Sequence, residues 1–119
     1  MRNIEQSSRQ LKVAGLIRES LVAIFAKGKK LDIRLFENKI TITNVKVSAD
    51  LRHANCYFLP FGNSNKLKEI EEGLELSKYA IRQQLTESIN LKFSPEIRFI
   101  FDSGAVNAMD VERIIKNIN

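Results

Sequence analysis

Little in this chain offers a familiar route to covalent chemistry or into a membrane. It has a single cysteine, Cys56, and a single histidine, His53. No internal disulfide can form, and the two cannot build a closed four-ligand zinc site of the usual kind. The longest unbroken apolar run is residues 21–26, far short of the ~20 residues that cross a bilayer, and the first ten residues are polar, unlike a secretory signal. No P-loop, zinc signature, hydrolase elbow or dinucleotide fingerprint occurs in the sequence. The expectation is a soluble, non-exported protein without catalytic activity, metal, cofactor or small-molecule substrate. Cys56, followed by Tyr57 and Phe58, reads as part of a strand in a reducing cytoplasm, with a reactive thiol as the lesser alternative.

What the chain does have is an excess of positive charge, placed unevenly. The formal net charge is +5 over 119 residues. Residues 1–60 carry eleven Lys and Arg against five acids, and residues 61–119 carry eight against nine, so the excess lies wholly in the first half. A basic face toward a polyanion is one reading of this, and solvated surface lysines the other.

Hydrophobic spacing gives the order of elements. Val13, Ile17, Leu21 and Ile24, widened by Ala14 and Phe25, predict a helix over residues 9–26. Ser7 or Ser8 can cap its start and Gly28 its end, with Lys27, Lys29 and Lys30 placed as partners of the dipole. A strand follows over 39–48. Its apolar pairs, Ile40 with Ile42 and Val45 with Val47, are out of phase, which predicts a bulge at Thr43 and Asn44. After a polar turn at 48–52, a second alternating strand at 53–59 should pair antiparallel with the first, ended by Pro60 and Gly62.

Residues 66–89 show the clearest helical stripe: Leu67, Ile70, Leu74, Ile81, Leu85 and Ile89. Ser77 interrupts it. A straight helix of this length would run about 36 Å, long for one domain of this size. A bend or break is therefore expected at Ser77, through a hydroxyl bonding back to the preceding turn; a small residue permitting close packing is the alternative. Pro95 opens a last strand over 96–102, and residues 108–118 predict a short docked helix. One domain over residues 1–119 is expected, an α+β two-layer sandwich in the order α-β-β-α-α-β with a C-terminal helix.

That order is the order of the bacterial form of the KH domain, an RNA-binding fold. Short segments narrow the match: Val47-Ser48-Ala49-Asp50-Leu51-Arg52-His53-Ala54, and Leu91-Lys92-Phe93-Ser94-Pro95-Glu96-Ile97-Arg98-Phe99 with Asp102-Ser103 beyond. Upstream, Lys12-Val13-Ala14 and Asp32-Ile33-Arg34-Leu35 fit as well. Over residues 9–103 the chain resembles the ribosome-binding factor A family. It departs from that family in carrying Ser77-Lys78-Tyr79 where an Ala-x-Gly junction is usual, and Ile33 where a proline is usual. The resemblance implies a KH-like cytoplasmic protein that binds immature small (30S) ribosomal subunits and 16S rRNA. It further implies a role in subunit maturation, in processing of the rRNA 5′ end and in cold adaptation.

A KH loop grips phosphates through its Gly-x-x-Gly, where glycine lets the backbone approach closely; this chain has no such pair. Side chains must then supply the contacts. Lys78 and Arg82, one helical turn apart beside Ser77, are candidates for phosphates, with Tyr79 available for stacking. The plainer reading makes the two cations solvated and Tyr79 a cap on the core. Arg52 and His53, at the turn between the strands, with Lys46, Lys92 and Arg98, are further candidates for the basic surface, unless Glu96 and Asp102 hold some of them in ion pairs. His53 reads as a turn residue, and Glu69, Glu71, Glu72 and Glu75 as a solvated helix face. The predicted mechanism is binding by a monomer, with affinity from phosphate contacts and selectivity from shape. A general single-strand RNA-binding KH module and a protein-interaction module are the alternatives.

Overall fold

The computed structural model describes residues 6–61, 66–90 and 94–104. The first helix, α1 (Ser8–Lys27), is capped at both ends. The Ser7 hydroxyl accepts from the Gln10 N–H while the Gln10 side chain accepts from the Ser7 N–H, a reciprocal box that satisfies two otherwise orphaned donors. Gly28 closes the other end at φ +67°, its N–H donating to the Ile24 carbonyl. A Cβ there would meet the Phe36 ring at 2.5 Å, so both the backbone angle and the space call for glycine.

A five-residue helix, α2 (Ile33–Glu37), follows, its Arg34 N–H capped by the Asp32 carboxylate. Periodicity could not reveal so short an element; the capping aspartate was its one local signal. Then come β1 (Ile40–Val47), β2 (His53–Pro60), α3 (Leu67–Ser88) and β3 (Glu96–Phe101). The strands form one sheet in the order β1-β2-β3, with β1 and β2 antiparallel and β2 and β3 parallel. The register shifts between Ile42 and Asn44. That bulge lets Ile42 and Val45, three residues apart, both point into the core.

The helices cover one face of the sheet. Ile17 and Leu21 of α1, Ile70, Ile81 and Leu85 of α3, and Phe58 and Ile97 of the strands are almost wholly buried between the layers. Each such side chain contributes roughly 1.5–3 kcal/mol by leaving water. Phe25 meets Phe99 edge to face, ring centroids 6.0 Å apart.

The expected interruption at Ser77 is absent: α3 is a single unbroken helix from Leu67 to Ser88, so the expected pair of helices is one. Ser77 does not bond back to its own helix. Its hydroxyl accepts the Asp32 N–H at 2.7 Å, and the residue is 2% exposed, so the small side chain is spent on seating the start of α2. The α+β class and the two-layer arrangement are as expected. The C-terminal helix expected over 108–118 lies outside the described residues.

Candidate nucleic-acid interface

The turn joining β1 to β2 is locked by its own side chains. The Ser48 hydroxyl donates to Asp50 Oδ1 at 2.7 Å and accepts the His53 N–H at 3.0 Å. Asp50 Oδ1 also accepts the Arg52 N–H at 3.0 Å. The Ser48 hydroxyl, the Arg52 N–H and the nearby charges of His53 and Arg52 hold the Asp50 carboxyl below its ordinary pKa. Leu51 takes a left-handed backbone, φ +63°, and its half-buried side chain packs on the core. The Arg52 carbonyl accepts the Glu96 N–H at 2.8 Å, fastening the start of β3 to the turn. The Ser-Ala-Asp-Leu-Arg segment is therefore a rigid corner that presents Arg52 and His53 to solvent.

From this corner the face of the sheet opposite the helices runs outward. Register places Lys46, Asn55 and Arg98 side by side across the three strands, and Asn44, Tyr57 and Ile100 in the row two residues along. Lys46 and Arg98 are exposed and form no ion pair with a described residue. Glu96 stands opposite His53 in the register, while Asp102 accepts from the Thr43 hydroxyl at 2.6 Å. The structure thus brings Lys46 and Arg98 together on one face of the sheet, with the exposed Arg52 at the corner that adjoins it.

The α3 candidates fall elsewhere. Lys78 is half-buried and lines a small cavity of about 150 Å³ with Glu71, Glu75 and Phe99 at the sheet edge. Tyr79 is 79% exposed, so it does not cap the core. Arg82 is tied down: its Nε donates to the Ser94 hydroxyl at 3.2 Å and a terminal nitrogen donates to the Ser94 carbonyl at 3.1 Å. The Thr86 hydroxyl donates to the Ser94 hydroxyl at 2.7 Å. Ser77 is buried beneath α2 and presents nothing to a ligand. Lys92 lies outside the described residues.

Sequence reasoning passed over three lysines. Lys27, Lys29 and Lys30, read there as dipole partners, line an open groove between α1 and α3. The signal that could have found them was the Lys-Gly-Lys-Lys cluster itself, once α3 is placed against α1.

Among the described residues no group of three or more His, Cys, Asp or Glu could hold a metal ion, and no helix is long and apolar enough to cross a membrane. Burial pushes the Cys56 thiol up to about 12.

Comparison with known proteins agrees with this architecture. The family model for ribosome-binding factor A matches residues 9–115. The ribosome-binding factor A of Rickettsia felis is 53% identical over 112 residues, covering 94% of this chain and 93% of its own length. That of Rickettsia bellii strain OSU 85-389 is 50% identical over 115 residues, covering 97% and 94%. Among solved structures, the crystal structure of ribosome-binding factor A from Thermus thermophilus superposes with a TM-score of 0.65 at 16% identity, over 77% of this chain and 93% of that one. A model of the Thermus thermophilus factor fitted into the cryo-electron-microscopy map of a 30S complex gives 0.53 at 17% identity, over 80% and 92%. On the family model and the identity to its relatives over nearly their whole length, this chain belongs to the ribosome-binding factor A family.

Proposed function

We propose that this protein binds immature small (30S) ribosomal subunits through 16S rRNA and assists their maturation, including processing of the rRNA 5′ end and growth in the cold. It works in the cytoplasm as a single-domain monomer over residues 1–119 and catalyses no reaction. The observation that carries this reading is family membership spanning residues 9–115, reinforced by the relative seen in a 30S complex. Lys46, Arg98 and Arg52 supply phosphate contacts from the open sheet face and its corner, Lys78 adds a charge from the sheet edge, and the exposed Tyr79 of α3 adds a stacking ring. Lys92 belongs to the same basic set. Arg82 and Ser77 act as positioning residues, one through Ser94 and the other through α2. Such a surface favours one rRNA conformation only by binding it more tightly than the alternatives.

The test is co-sedimentation with purified small subunits at low and at high salt. Cofractionation that weakens as salt rises is expected, because phosphate contacts release counterions. No cofractionation at either salt ends the reading.

A further inference from the structure

We infer that the groove between α1 and α3 is a second RNA site, one that holds the sugar–phosphate backbone of a strand. This rests on the proposed function for the identity of the RNA but uses none of the sheet-face residues. The groove is an open cavity of about 450 Å³ with Ala23 and Ala80 among its lining residues. Its walls are fixed by two hydrogen bonds, one between the helices and one from α3 to the loop that follows α1. The hydroxyls of Ser20 and Ser88 meet at 2.7 Å, and Gln84 donates to the Lys29 carbonyl at 2.7 Å. Methyl-sized side chains between two pinned helices leave a channel that neither helix can close.

Three cations, Lys27, Lys29 and Lys30, converge on it against one acid, Glu87. None of the three forms an ion pair with a described residue. Partnership with the helix dipole accounts for Lys27 alone, which sits in the last turn of α1. Lys29 and Lys30 lie beyond Gly28, whose N–H already bonds the Ile24 carbonyl. Lys30 moreover takes a left-handed backbone, φ +63°, a conformation that glycine or asparagine would adopt at less cost. A lysine kept in a conformation that disfavours it, at the lip of a channel, points to work for its ammonium group. Charge along α3 is sorted to match. Glu69, Glu71, Glu72 and Glu75 occupy its first half, with Glu72 drawn to Arg34 at 3.0 Å, and the groove opens along its second half.

The lining chooses the ligand. Hydroxyls, amides and ammonium groups line the channel beside an apolar floor of Ala23, Ile24 and Ala80, and among the described residues no aromatic side chain does, so it suits phosphates and ribose rather than stacked bases. The volume accommodates more than one phosphate, and the channel is open, as a continuous strand requires. Binding here is independent of base sequence.

The experiment uses the full chain and two probes, purified small ribosomal subunits and a twelve-nucleotide polyuridine. Two variants are compared with wild type. Lys27→Gln/Lys29→Gln/Lys30→Gln removes the cations. Ala23→Leu, at an exposed and helix-tolerant position, narrows the channel without touching charge. The triple variant should bind at least tenfold more weakly at low salt, and its slope of log affinity against log salt should fall by about 2, at roughly 0.7 per lost contact to a single strand. Ala23→Leu should weaken binding several-fold at every salt concentration. If either variant binds as wild type does, the groove is not a backbone site; loss in the triple variant alone means diffuse attraction and overturns the proposal. Competition by polyglutamate but not polyuridine also overturns it, in favour of an acidic peptide. Wild type that ignores subunits yet binds polyuridine through the groove would sink the proposed function and leave this site standing. Subunit binding indifferent to both variants would do the reverse, and binding to neither probe would sink both.

Discussion

The Ser77 hydroxyl in the middle of α3 accepts the Asp32 N–H at 2.7 Å, across 45 residues of sequence. That bond aims the start of α2, where Asp32 caps the helix and Leu35 turns into the core. Gly73, one turn earlier on α3, completes the seat, since a Cβ there would lie 3.2 Å from the Leu35 side chain. Ser77→Ala removes the acceptor and leaves a part-buried donor without a partner, at a cost of about 1–2 kcal/mol. Ser77→Leu, which restores the apolar stripe, should cost at least as much, because the position is 2% exposed beneath α2. Urea denaturation of both variants checks this; a Leu variant more stable than wild type would show that the stripe, not the bond, matters here.

At Ser77 the sequence pattern carries the burial but not the role. Its place in an apolar stripe marked it as unusual, and its burial bears that out. What the residue does depends on Asp32, and no local pattern links two residues 45 apart. Elements whose periodicity is internal were legible to within a residue or two: α1 with its Gly28 stop, the Ile42–Asn44 bulge, and the antiparallel β1–β2 pair. α2 was not, since five residues make barely more than one turn. The candidate site divides in the same way. Lys46 and Arg98 could be named as cations, but only the parallel pairing of β3 with β2 sets them on either side of Asn55.

The β1–β2 corner carries a pH dependence. The Asp50 carboxylate is held below its ordinary value of 3.8 first by the Ser48 hydroxyl and then by the Arg52 N–H. A carboxyl whose pKa is depressed on folding adds stability above its unfolded pKa and loses it as pH falls through the folded one. Asp50→Asn should therefore melt below wild type near neutral pH, with the gap constant above pH 3.8 and closing below it. Thermal melts of the two proteins across pH 2 to 7 decide the point. A gap that stays constant down to pH 2 would mean that the carboxylate charge is not what holds the corner.

Cys56 is fully buried on β2, and burial pushes its thiol up to about 12. Thiolate is the reactive species, so the folded protein at pH 8 should resist iodoacetamide on a timescale on which a short cysteine peptide is consumed. Modification should track unfolding as denaturant is added. Rapid labelling of the native protein, followed by mass spectrometry, would reveal an opening of the β2–β3 pairing that the packing of Phe58 and Ile97 does not predict.

Arg82 and the pair Lys46 and Arg98 should separate stability from binding. Arg82 spends its guanidinium on Ser94, at 3.2 and 3.1 Å, and so secures the entry to β3. The Lys46 ammonium and the Arg98 guanidinium form no ion pair with a described residue. Arg82→Gln should lower stability by about 1.5–3 kcal/mol, as for a hydrogen bond from a charged group, while the salt slope of subunit binding by the folded fraction stays that of wild type. Lys46→Gln/Arg98→Gln should leave the melting temperature within a degree or so and flatten the slope by about 1.4 to 1.8, at roughly 0.7–0.9 per phosphate contact. A flattened slope in Arg82→Gln at unchanged stability would instead place that guanidinium on the rRNA and release Ser94 from its role.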